Sequence, residues 1–361
     1  MSPISLESSR RQFITYGSAA LATPQAGPAW AAERPHLQFM VVGDWGRDGA
    51  FHQRQVAAAM GEFQKSALVV STGDNFYQRG VRSLGDRKWE SSFQRIYTNV
   101  PQRWYAVLGN HDYGGNVEAQ IAKTFHDPRW RMPNYWFDFR LDAHARPDVH
   151  LFYIDTVLWR GREKFPYRYL GSSVRKRDQA KQREWLQAAL ARSDAAIKLV
   201  FGHHPIYSVR TQGSYYGMAD LDALLFDYGV TAYVNGHDHC MYHISAPDWR
   251  GKAAGSMHYI CSGAGSQMRP VYPPCIPHGL VSQANCVSRE QLGPREPYWH
   301  AFFTRSDASP ALDLKGGFAV FEATGRSLDV RFIEPVPDPV TGLNWRQRYS
   351  GAVAIRNRAA I

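Results

Sequence analysis

The chain has 361 residues, of which 44% are hydrophobic, 13% aromatic and 20% charged, an ordinary globular balance with enough apolar side chain for a sizeable core. Beyond the first thirty residues, no stretch approaches the roughly 20 apolar residues of a membrane span. The formal net charge of +10 allows acidic partners of several kinds and selects none. No nucleic-acid-binding module or aromatic-basic interleaving accompanies it.

Residues 9–14 read Ser-Arg-Arg-Gln-Phe-Ile, a twin-arginine pattern followed by a mildly apolar stretch and by Ala29-Trp30-Ala31, a small-x-small cleavage site. Pro24, Gly27 and Pro28 argue against an N-terminal helix of the mature fold. Residues 1–31 are therefore expected to be a signal for the bacterial twin-arginine translocation machinery, with the protein destined for the periplasm or the outside. Their removal takes away Glu7, Arg10 and Arg11 and leaves a net charge of +9. One domain is expected over residues 35–361.

Strands are predicted at residues 37–42, 67–71, 104–108, 151–154, 198–201, 231–234 and 258–261, and their continuous apolar character suits strands covered on both faces. Helical spacing runs over residues 51–63 and 178–192, where Trp185, Leu186, Ala189 and Leu190 form a stripe. This alternation predicts an α/β fold. The basic run from Arg160 to Arg183 reads as a solvated loop and helix face. A Pro-rich segment at 267–310 reads as a surface insertion, and residues 317–323 and 327–333 read as a closing hairpin. The four cysteines, Cys240, Cys261, Cys275 and Cys286, allow three pairings. Cys275 and Cys286 are the favoured bridge, with Cys240 and Cys261 as buried thiols.

Polar residues cluster directly after the strands: Gly43-Asp44-Trp45-Gly46, Gly73-Asp74-Asn75-Phe76-Tyr77, Gly109-Asn110-His111-Asp112, Gly202-His203-His204-Pro205 and Gly236-His237-Asp238-His239. Ligands of open α/β sheets bind at the carboxyl ends of strands, so five strands deliver metal-ligand side chains to one edge. Any one string is a turn or a core histidine; all five together point to two metals bridged by a carboxylate. Two cations about 3.5–4 Å apart bind phosphate oxygens and acidify a coordinated water. Oxygen donors with imidazole suit iron, zinc and manganese, and the absence of paired thiolates disfavours a structural zinc.

These motifs resemble the calcineurin-like metallophosphoesterases, and within them the small, tartrate-resistant purple acid phosphatases, over most of residues 37–334. Many metallophosphoesterases carry a histidine two residues after the first Asp, where Gly46 stands here; the purple enzymes use a tyrosine three residues after the second Asp, where Tyr77 stands. The resemblance implies a four-layer sandwich of two mixed β-sheets flanked by helices. It implies Fe(III) held by Asp44, Asp74, Tyr77 and His239, and a second divalent metal (Fe, Zn or Mn) held by Asp74, Asn110, His203 and His237. It implies hydrolysis of phosphate monoesters by a metal-bound hydroxide, with His111 as proton or hydrogen-bond donor to the leaving oxygen and Asp112 either orienting His111 or capping the turn. Gln212 stands where the animal enzymes carry a second non-ligand histidine, and Asp155, His243 and His258 read as structural or rim residues. The alternatives are a phosphodiesterase or nucleotidase on the same scaffold and, from another class, a non-catalytic phosphate-binding or envelope protein.

Overall fold

The computed structural model describes residues 36–141, 148–160, 172–208, 218–269, 300–305, 316–325, 327–336 and 345–356, with side chains left aside at 172–177 and 300–305. The expected signal, the Cys275–Cys286 bridge and Gln212 lie outside them.

In chain order the first strands are β1 (His36–Val42), β2 (Leu68–Ser71), β3 (Arg103–Ala106), β4 (Trp130–Arg131), β5 (Phe137–Leu141), β6 (Val149–Tyr153) and β7 (Ile197–Phe201). They continue with β8 (Ala232–Asn235), β9 (Met241–Pro247), β10 (Ser256–Ser262), β11 (His300–Arg305), β12 (Phe318–Thr324), β13 (Ser327–Glu334) and β14 (Arg346–Val353). Two seven-stranded sheets result, ordered β14-β13-β12-β1-β2-β3-β4 and β11-β9-β10-β8-β7-β6-β5. The first sheet is parallel from β1 through β2 and β3 to β4 and antiparallel from β1 to β14; the second is parallel over β6, β7, β8 and β10 with antiparallel flanks, so both sheets are mixed.

The pleat explains the layering. Successive side chains of β1 point to opposite faces, so Phe39 and Val41 join the core between the sheets, with Leu199, Phe201, Val234 and Phe321. Met40 and Val42 face outward onto helix α1 (Gln53–Met60) and an aromatic group around Trp45, Trp104 and Trp130. On the second sheet's outer face, Phe152, Val200 and Tyr233 pack under α4 (Ser172–Arg192) and α5 (Ala219–Asp227), completing four layers. Two shorter helices lie between, α2 (Val117–Lys123) and α3 (Thr156–Arg160). Among the described residues no helix is long and apolar enough to cross a membrane.

The strands expected from apolar runs occur with ends shifted by a few residues, and β12 and β13 pair as the expected hairpin. Helix α1 is shorter than residues 51–63, because Phe51 has φ of 55° and the chain turns at Gly61. One expectation is corrected. Within the supposed insertion at 267–310, residues His300–Arg305 form β11, paired antiparallel with β9 at the sheet edge. The strand-forming run His-Ala-Phe-Phe-Thr-Arg was hidden by its Pro-rich flank.

Candidate metal centre

Asp44 follows β1, Asp74 and Tyr77 follow β2, and Asn110 and His111 follow β3 of the first sheet; His203 follows β7, and His237 and His239 follow β8, of the second. The turns that aim these side chains are unusual. Among the described residues, six non-glycine positions have positive φ, and Asp44, Asp74, His237 and His239 are four of them, at 50–66°. Such conformations cost of order 1–3 kcal/mol each and persist where the surroundings over-determine them. Glycine provides the room. A Cβ on Gly109 would stand 2.2 Å from both the amide nitrogen and Oδ1 of Asp74, and Gly73 has φ of 93°.

Asp74 sits at the middle, 1% exposed. Its Oδ2 lies 2.9 Å from Tyr77 Oη, which is also 2.9 Å from Asp44 Oδ1 and 3.0 Å from His239 Nε2. Its Oδ1 faces the other way, 3.4 Å from His203 Nε2, and accepts the His111 amide at 2.8 Å. His203 Nε2 is in turn 3.1 Å from Asn110 Oδ1 and 3.2 Å from His237 Nδ1, and those two atoms are 3.0 Å apart. The seven side chains thus form two groups sharing one carboxylate.

These groups hold more acceptors than protons. A phenol has one hydrogen to give, yet Tyr77 Oη has two carboxylate oxygens at 2.9 Å, with a ring nitrogen at 3.0 Å. His203 Nδ1 contacts the Thr72 carbonyl at 2.9 Å and so carries a proton there, which leaves Nε2 aimed at Asp74 and Asn110 oxygens, where a metal ion or a second proton would sit. Crowded lone pairs of O and N donors are what a cation satisfies, and the residues fit metal ions in both groups. The electrostatics show the same demand for positive charge, which a proton on His203 meets when no metal ion is bound. Burial depresses His203, but the Asp74 carboxylate outweighs it and lifts the imidazole to about 9. Burial lifts Asp74, yet His203, His111 and His237 hold it far below the carboxylate range. Burial, followed by the charges of Asp44 and Asp74, pushes the Tyr77 phenol well above its usual value.

His111 stands at the edge, its side chain 26% exposed, with Nε2 3.9 Å from Asp74 Oδ2. Its Nδ1 contacts the Gln78 carbonyl at 2.7 Å, which places a hydrogen on Nδ1. Asp112 does not orient it, and that expectation is corrected. The chain turns into a short 3-10 helix at Asp112, and the carboxylate accepts from Gly109 N at 2.9 Å, Asn75 N at 3.1 Å and Gln120 Nε2 at 2.8 Å. It ties together the two loops that carry Asp74 and Asn110. Burial, then the Asp74 charge, raises it to about 6.

Asp155 caps α3 through the amides of Val157 and Leu158 at 2.9 and 3.1 Å, in keeping with a structural part. His204 contacts Thr156 Oγ1 at 2.9 Å and lies with His203 and His237 in one cluster of potential ligands. The 262–266 segment clamps the Asp44 turn: Ser262 O accepts Gly43 N at 2.7 Å, and Ser266 Oγ donates to the Asp44 carbonyl. A further cluster, Asp238 with the buried thiols Cys240 and Cys261, is hydrogen-bonded packing. Asp238 accepts from Ser208 Oγ at 2.7 Å, and the single Cys261 S–H has the Gly236 and Cys240 carbonyls as acceptors, each 3.4 Å from Sγ.

Residues 37–241 match the model of the calcineurin-like phosphoesterases. The chain belongs to that family. Among curated proteins, this phosphoesterase is 36% identical over 242 residues to purple acid phosphatase 7 of Arabidopsis thaliana, covering 64% of its own length and 70% of the relative's. It is 31% identical over 324 residues to tartrate-resistant acid phosphatase type 5 of Oryctolagus cuniculus, covering 84% and 90%. Two solved structures share the fold: GAP50, the anchor in the inner membrane complex of Plasmodium, with TM-score 0.66, 24% identity and coverage of 90% and 91%; and purple acid phosphatase PPD1 of Lupinus luteus, with TM-score 0.57, 15% identity and coverage of 89% and 54%. Curated relatives of this phosphoesterase thus include purple acid phosphatases, which are dinuclear metal enzymes, and this chain carries candidate metal-holding groups.

Proposed function

We propose that the chain is an acid phosphatase that hydrolyses phosphate monoesters. The observation that carries this reading is the division of Asp74, with Oδ2 toward Tyr77 and Oδ1 toward His203, the arrangement of a carboxylate shared by two ions. Asp44, Asp74, Tyr77 and His239 would hold Fe(III), which a hard phenolate favours. Asp74, Asn110, His203 and His237 would hold a divalent Fe, Zn or Mn. Such a pair supplies positive charge for phosphate oxygens and lowers the pKa of a coordinated water.

The chain's own groups do the rest. The Thr72 carbonyl fixes the His203 tautomer so that Nε2 faces the site. The Gln78 carbonyl does the same for His111, leaving Nε2 at the exposed edge. In its protonated form His111 keeps the Nδ1 hydrogen on that carbonyl and gives the Nε2 proton to the leaving alkoxide. Residues 1–31 are proposed to direct twin-arginine export to the periplasm or beyond, a route that suits an enzyme loaded with metal before it leaves the cytoplasm.

Matched assays of p-nitrophenyl phosphate and its bis ester on metal-loaded protein test the reading. The expected result is a higher kcat/KM for the monoester. The reverse order would make the chain a phosphodiesterase or nucleotidase, and no turnover of either would make it a phosphate-binding protein.

A further inference from the structure

Arg47, at the end of the Asp44 turn, is 9% exposed, and among the described residues no carboxylate lies within ion-pair distance of it. A buried cation without an acidic partner is costly, so its remaining contacts are informative. Its guanidinium carbon lies 3.4 Å from the centroid of the Tyr77 ring, over the face, and 5.4 Å from that of Phe51. Nε donates to Ser266 Oγ at 3.1 Å, and Ser266 Oγ donates to the Asp44 carbonyl. The Arg47 amide donates to Gln53 Oε1 at 3.0 Å, which also accepts Gly49 N at 2.7 Å, while Gln53 Nε2 donates to Ser92 O at 2.8 Å. The guanidinium is therefore held from both ends, by its backbone and by its head group, against one aromatic face.

We infer that Arg47 is a positioning residue for Tyr77, one that fixes the phenol ring and tunes its electrons. The inference rests on the proposal that Tyr77 is an iron ligand. Two consequences follow from where the charge sits. First, the stacked guanidinium restricts the ring to the plane in which Oη reaches both Asp44 and Asp74. Second, a cation over a ring face lowers the energy of the ring's electrons. With its guanidinium carbon 3.4 Å from the ring centroid, Arg47 acts directly on the donor electrons of the phenolate, and would stabilise them more than the acceptor levels of an iron held at Oη. The energy of phenolate-to-iron charge transfer is thereby raised, and the positive charge also favours the reduced state of the site.

The test compares the visible spectrum and midpoint potential of iron-loaded wild-type protein with Arg47→Met, Arg47→Lys and Tyr77→Phe. Tyr77→Phe is expected to lose the band. Arg47→Met is expected to keep it at a longer wavelength, with a lower midpoint potential. Arg47→Lys, which retains the charge without the planar stack, is expected to fall between Met and wild type, and it still reads the effect if Arg47→Met does not fold. A band and potential unchanged in both Arg47 variants, with only KM raised, would overturn the inference and make Arg47 a substrate contact. A wild-type protein without the band would remove the reading of Tyr77 and this inference together; a wild-type band with no shift removes the inference alone.

Discussion

Two buried clusters of histidines invite comparison: the set around Asp74, and the pair His243 and His258 on β9 and β10. In the second, each acceptor has a donor. The Ala354 amide donates to His258 Nε2 at 3.0 Å, so His258 carries its hydrogen on Nδ1 and gives it to His243 Nε2 at 2.8 Å. His243 then has its hydrogen on Nδ1, facing Tyr349 Oη at 2.9 Å. The chain of bonds runs from the backbone after β14 to a phenol on β14, and so clasps the first sheet to the second. In the Asp74 set the same residue type is aimed at oxygens that have no hydrogens to offer, on turns held at positive φ. Burial of imidazole does not separate a structural cluster from a functional one. The balance of donors and acceptors does.

The largest effect that would break this contrast comes from the shared carboxylate. Asp74→Ala is expected to lose both metals and to bring turnover below detection, measured by elemental analysis and a monoester assay. An intact metal complement with normal turnover would show that the crowded lone pairs are not a metal site. Next is His111→Ala, expected to keep both metals and to lose roughly 10²–10⁴-fold in kcat, the usual contribution of a general acid. Loss of metal in that variant would move His111 into the ligand set.

The smallest effect sharpens the other side. Burial, then the nearby Arg356 charge, depresses His258 to about 4, below the ordinary 6.5. The unfolded chain therefore takes up a proton that the folded chain refuses. This contribution to stability is present above pH 6.5 and is lost as pH falls toward 4, by about 2 kcal/mol at pH 5. Urea unfolding at pH 7.5 and pH 5 should show wild type losing more stability on acidification than His258→Gln, with metal content unchanged in the variant. An identical pH dependence would mean that the clasp does not hold the neutral form.

Most of the candidate site was legible because each ligand candidate follows an apolar strand, at the carboxyl ends of parallel strands in both sheets. What stayed hidden depended on backbone atoms or on contacts across loops. Asp112 was expected to orient His111 because it is the next residue, but the 3-10 turn carries its carboxylate to the Gly109 and Asn75 amides. The group that does hold His111 is the carbonyl of Gln78, which any residue there would supply. Arg47 carried one readable signal, the single basic residue in the Gly-Asp-Trp-Gly-Arg-Asp turn after a buried strand, but its stacking on Tyr77 joins two loops. Among the strands, β9 went unread because it begins directly after the ligand loop with no turn signal, and β14 because Arg-Gln-Arg-Tyr-Ser-Gly is polar on both faces. The parallel strands that carry the candidate ligands are therefore the more legible part of the fold, and the edge strands, the β12–β13 hairpin aside, the less legible.

The central claim is that the Asp74 set is a dinuclear centre with Tyr77 bound to iron. The visible spectrum of purified, metal-loaded protein, with elemental analysis of the same sample, tests it most directly. Two metal ions per chain are expected, at least one of them iron, with a broad band in the green to yellow region that Tyr77→Phe abolishes. A colourless protein carrying two zinc or manganese ions would contradict the iron–tyrosine assignment, and one carrying no metal would contradict the centre itself.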